Sequence, residues 1–138
     1  TCSDPFNGTR FQFRWRKHLQ DNSDLALLRA ADAWTALPLA DEDPPAGDPV
    51  MVLGFPSALT PLETTEAEPI ARKGEVLRTQ ETVLIDAVVL GGNSGGPLID
   101  ANGLVVGVAT RGISGLLNMG IKTQHVRELL DHAKRATP

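Results

Sequence analysis

The apolar residues of this chain come in runs too short to build helices. VMVLGFP (50–56), GEVLRT (74–79), ETVLIDA (81–87), PLID (97–100) and GLVVGVAT (103–110) are each four to eight residues long and are punctuated by Gly, Pro, Asn and Asp. Runs of that length rich in β-branched residues read as strands. PLIDANGLVVGVAT is the clearest hairpin, with Asn102-Gly103 as the favoured two-residue turn between its arms. RFQFRWRK (10–17) alternates apolar and polar side chains and reads as one half-buried strand after a loop over 1–9. QDNS is a turn, DLALLRA a short strand, 57–73 a long polar loop and MGIK a last strand. A helical period occurs only at the end. Thr123 is placed to cap a helix over 124–135, with Val126, Leu129, Leu130 and Ala133 as its apolar stripe and Lys134 and Arg135 suiting its C-terminal end. PLADEDPPAGDP (38–49) has four prolines and four acids and reads as a linker. Many short strands with one terminal helix predict an all-β barrel or sandwich.

The 138 residues are enough for one ordinary domain with a real core. A formal net charge of −4 argues against a nucleic-acid partner, and strand alternation accounts for the basic and aromatic residues of 10–17. The single cysteine, Cys2, excludes a disulfide within the chain, and one Cys with three scattered His offers no metal site. No apolar run reaches the length of a membrane span, and no signal peptide is visible. Thr1 in place of an initiating Met points to a processed or shortened chain.

GGNSGG (91–96) carries the chemistry. A serine between glycines, after the apolar run LIDAVVL, is how a chain presents an attacking hydroxyl. Gly92-Asn93-Ser94-Gly95-Gly96 fits two enzyme designs. The α/β-hydrolase elbow needs a helix after the serine, whereas Pro97 and a hairpin follow here. The other design has the chain order His, Asp, Ser. GNSGGPL (92–98) resembles the nucleophile motif of trypsin-like serine proteases, in the Asn form typical of the HtrA-like branch. SDLALLRA (23–30) is similar to that family's aspartate-bearing strand. GDPVMVLGFP resembles the first strand of its second barrel, GLVVGVATRG its substrate-edge strand, and GIKTQHVRELL its last strand and helix. The matches run in family order from about residue 11 to 135.

This resemblance implies a trypsin-like double β-barrel: 1–37 as the two-stranded remnant of an incomplete first barrel, 38–49 as the linker, and 50–138 as a complete second barrel with a C-terminal helix. Ser94 is implied as nucleophile, the amides of Gly92 and Ser94 as the oxyanion hole, and Asp24 as the residue that orients the base. Val88, six before the serine, is implied at the base of an apolar specificity pocket, with Gly120 leaving room on the opposite wall. Thr110, Arg111 and Gly112 are implied as the edge that pairs with substrate. Neutral Asn93 cannot pair with a freed N-terminal amine, which excludes activation by N-terminal insertion. The family's histidine has no counterpart here. His18 stands six positions before Asp24 in RKHLQ and reads as solvent-facing, and His125 and His132 read as solvated helix positions. The base is therefore expected outside this sequence, and the chain is expected to be an inactive fragment. The implied function is a cofactor-free serine endopeptidase acting on polypeptides, exported or periplasmic as the family mostly is, with further domains or an N-terminal segment in the parent protein. A non-catalytic binding module of the same fold is the alternative. The missing histidine favours it, and the intact GNSGG speaks against it.

Overall fold

The computed structural model describes residues 2–3, 10–11, 14–17, 24–29, 34–55, 69–89, 91–114 and 117–136. Four short strands come first: β1 (Cys2–Ser3), β2 (Arg10–Phe11), β3 (Arg14–Lys17) and β4 (Ala26–Arg29). They form two separate antiparallel sheets, β1 with β2 and β3 with β4. Cys2–Ser3 is strand where a loop over 1–9 is expected, the rest of that span lying outside the described residues, and 10–17, expected as one strand, is divided between two sheets. The chain changes sheets between Phe11 and Arg14, because alternation marks extended backbone but does not choose its partner.

Six strands then close a barrel: β5 (Pro49–Gly54), β6 (Ile70–Thr79), β7 (Thr82–Ile85), β8 (Pro97–Asp100), β9 (Val105–Ser114) and β10 (Leu117–Lys122). Around the barrel the order is β10-β7-β6-β5-β8-β9, and β9 pairs back onto β10. All pairs are antiparallel. Alternate residues point inward, so Val50 and Val52, Val83 and Ile85, and Val76, Leu98, Val106 and Ala109 fill the interior. β6 begins at Ile70, so 70–73, expected as loop, are strand. Most of that expected loop, 57–68, lies outside the described residues.

The β8–β9 hairpin uses a different turn from the one the sequence suggests. The Gly103 amide donates to the Asp100 carbonyl and the Asp100 amide to the Leu104 carbonyl. Gly103 has φ of +80°. This is a three-residue loop ending in a left-handed glycine. Asp100 explains the shift, because its Oδ1 accepts from the amides of Asn102 and Leu104 at 2.8 and 2.9 Å.

The proline-rich stretch is a strap across the barrel. Ala40, 5% exposed, donates to the Val105 carbonyl, and the Val105 amide donates to Pro38. The Pro44 carbonyl accepts from the Thr79 hydroxyl, and Asp43 pairs with Lys122 at 2.7 Å. Prolines lack amides, but their carbonyls still accept. Helix α1 (Thr123–Ala136) packs on β9 and β10. Leu129 is buried, and Val126, Leu130 and Ala133 are half-buried. Thr123 is the first helical residue rather than a residue before the helix. Its hydroxyl donates to the Ala40 carbonyl, which the Arg127 guanidinium also reaches.

Gly120 packs against the barrel core. A Cβ there would lie 2.3 Å from Leu98 Cδ1, and Leu98 is wholly buried in the barrel core. Gly120→Ala should therefore cost about 1–3 kcal/mol of stability through overpacking. Urea denaturation of Gly120→Ala, Leu98→Val and the double variant checks this, and the double variant should lose less than the sum of the two.

Candidate active site

Ser94 sits on the turn between Val89 and β8. Gly92 and Gly95, on either side of it, have φ of +98° and +89°, values that L side chains rarely adopt. The turn is tied to β9 by its backbone. The Gly95 amide donates to the Ala109 carbonyl at 2.7 Å, and the Ala109 amide donates to Gly96 at 2.8 Å. Gly96 is glycine because a Cβ would lie 2.2 Å from the Leu53 carbonyl oxygen. Among the described residues, no acceptor lies against the amides of Gly92 and Ser94.

The next residue of β9 gathers the site. Met119 of β10 pairs with Arg111 and Gly120 with Ala109, so Thr110 is the extra residue of a β-bulge. Bulges leave a residue unpaired and re-aim it. The Thr110 carbonyl accepts from Ser94 Oγ at 2.6 Å, and its hydroxyl donates to Asp24 Oδ2 at 2.9 Å. Ser94 and Asp24, 70 residues apart in sequence, thus both bond one threonine, Ser94 its carbonyl and Asp24 its hydroxyl. The sequence assigned Thr110 only to a substrate edge. Its link to Asp24 depends on the bulge, which no periodicity reveals. From Thr110 to Ser114, β9 pairs only with β10 among the described residues.

Two buried asparagines frame the turn. Asn93 is 0% exposed, and among the described residues neither its Oδ1 nor its Nδ2 has a hydrogen-bond partner. It lies against Gly54, where a Cβ would be 2.4 Å from Oδ1. Asn118, 2% exposed, donates from Nδ2 to the Ala87 carbonyl at 2.6 Å. Nothing in the sequence pattern marked Asn118. Val88, implied at the base of the pocket, is 37% exposed, so it offers an open face. His125 is half-buried rather than solvated, with Nδ1 3.4 Å from Glu128 Oε2. His132 is exposed on α1, and His18 lies outside the described residues. The Arg111 side chain also lies outside them. Among the described residues, no cluster of His, Cys, Asp and Glu could hold a metal, and no helix is long and apolar enough to cross a membrane.

The family model of the trypsin-like peptidase domain matches residues 5–108. This chain belongs to the trypsin-like peptidases. Its similarities are to the HtrA type within them. Serine protease HTRA1 of Xenopus tropicalis is 29% identical over 130 residues, covering 86% of this chain and 28% of that protein. The magnetosome formation protease MamE of Paramagnetospirillum magneticum is 35% identical over 116 residues, covering 80% of this chain and 16% of that protein. This trypsin-like chain thus spans less than a third of the length of these curated relatives. In fold it resembles the active form of the Rv3671c protease from M. tuberculosis, with a TM-score of 0.74 at 24% identity, covering 91% of this chain and 60% of that one.

The unpaired Asn93 carboxamide gives a pH-dependent prediction. Asn93→Asp places a buried carboxylate where no described residue neutralises it, at a cost of about 3 kcal/mol or more at neutral pH. Burial raises the folded-state pKa of such a group, so the penalty grows as pH rises above the unfolded value of about 4 and vanishes below it. Urea denaturation of this variant and the parent sequence at pH 7 and near pH 3.5 checks it. Asn93→Leu, which has the same branched shape without polar atoms, should be neutral or stabilising.

Proposed function

We propose that this domain is the larger part of a serine endopeptidase that cleaves polypeptides through an acyl-Ser94 intermediate, with its catalytic histidine supplied from outside these 138 residues. The observation that carries this reading is the meeting of Ser94 and Asp24 at Thr110. An imidazole held by Asp24 would take the Ser94 hydroxyl proton, which now points to the Thr110 carbonyl in a hydrogen bond. Ser94 Oγ would attack the scissile carbonyl, and the amides of Gly92 and Ser94 would receive the developing oxyanion. Each such donor is worth roughly 3–4 kcal/mol in the transition state. The protonated imidazole would then give its proton to the leaving amine, and water would hydrolyse the ester. The Thr110–Gly112 segment, which pairs with β10 on one side, suits an extended substrate backbone added as a strand on the other.

In this reading the described chain alone is essentially inactive, since losing a triad histidine costs on the order of 10⁶ in turnover. A form extended upstream through a histidine-bearing segment should cleave peptides and be labelled at Ser94 by a serine-directed phosphonate. Ser94→Ala should abolish both. An inert extended form would favour a non-catalytic binding module instead.

Val88 presents an aliphatic face with no acid, so small or medium aliphatic side chains should be preferred before the cleaved bond. Profiling the extended form on a peptide library checks this, and a dominant preference for Arg or Lys would refute it.

A further inference from the structure

We propose that Asn118 is a specificity-determining positioning residue, joining the two backbone segments that flank the substrate side chain before the cleaved bond. The inference rests on the protease reading above and deepens it. Asn118 stands on β10 inside the closed barrel, where its neighbours across the sheet are Ile85 of β7 and Gly112 of β9. A buried carboxamide costs stability unless its hydrogen bonds are made, so its presence in an apolar interior calls for a partner. That partner is the carbonyl of Ala87, itself 1% exposed.

The two connections lead to opposite walls. Through its backbone register, Asn118 meets Gly112, the end of the Thr110–Gly112 edge, beside a register shift in the β9–β10 ladder. Through its side chain it holds Ala87, one residue before Val88. The segment after β7 has left the sheet. Asp86 is fixed from β6, accepting from the Glu75 amide at 2.6 Å and donating from its own amide to the Glu75 carbonyl. Ala87 is fixed from β10 by Asn118, and exposed Val88 follows. One side chain thus sets where the Val88 face stands relative to the substrate edge.

A residue without a donor at 118 leaves the Ala87 carbonyl buried and unpaired. Its escape is to rotate toward water, which carries Val88 with it. Asn118→Leu keeps the branched shape and removes the donor, and Asn118→Ser keeps a shorter donor. In the extended enzyme, the preference in kcat/KM for Val over Phe should fall about tenfold in Asn118→Leu, the scale of one buried unpaired carbonyl. It should fall less in Asn118→Ser, and kcat on the better substrate should change little in either. The effect should shrink in a Val88→Ala background, since the two residues act as one unit. In the described chain, hydrogen exchange at amides 86–92 should quicken in Asn118→Leu while β5 and β8 stay protected. Unchanged selectivity, or unchanged exchange at 86–92, overturns the proposal. Loss of protection throughout the barrel in both variants also overturns it and assigns Asn118 to core stability. An inert extended wild-type enzyme overturns the protease reading and the specificity role together. Unchanged exchange beside an active enzyme overturns the tether alone.

Discussion

Two backbone hydrogen bonds hold the Ser94 turn: Gly95 amide to Ala109 carbonyl, and Ala109 amide to Gly96 carbonyl. The turn contains four glycines, so few side chains are available to fix its shape, and unanchored glycine backbone has wide freedom. Its geometry must come from a neighbour that cannot move. Ala109 is such a neighbour, 2% exposed in the barrel core. The bulge begins one residue later and turns Thr110 toward both Ser94 and Asp24. The site thus inherits its precision from barrel packing, relayed through main chain.

The sequence made the strands of the barrel legible because each is a short apolar run with turn residues at its ends. It made Ser94 legible because glycines on both sides of a serine have few other uses. Elements set by pairing were less legible. RFQFRWRK has the pattern of one strand, yet its two halves belong to different sheets. The strap looked like a free linker because prolines and acids suggest exposure. Its carbonyls and Ala40 were the parts that docked. Asn118 gave no signal, since the last strand expected from the sequence, MGIK, begins one residue after it, and only the closed barrel places it inside.

Space and polarity around the turn are used without slack. Gly54 and Gly96 are small because the Asn93 carboxamide and the Leu53 carbonyl occupy the volume a Cβ would need. Asn93 itself gives up hydrogen bonds that water would have supplied. Such a group lowers stability where an apolar side chain would not, a pattern concentrated at sites held for chemistry rather than for packing.

The strap also has a consequence for how the molecule is made. The Ala40 carbonyl is reached by Thr123 and Arg127, which lie 83 and 87 positions later in the chain. The barrel closes only when β10, the last strand, joins β9 and β7. A chain emerging from the ribosome therefore carries β5–β8 as an unclosed sheet until β9 and β10 have been synthesised. Contacts so distant in sequence form slowly, because long loops must close before any of them is rewarded. Through that interval the exposed rims of the growing sheet are open to pairing with other chains, so this topology places its period of greatest aggregation risk before β10 has emerged.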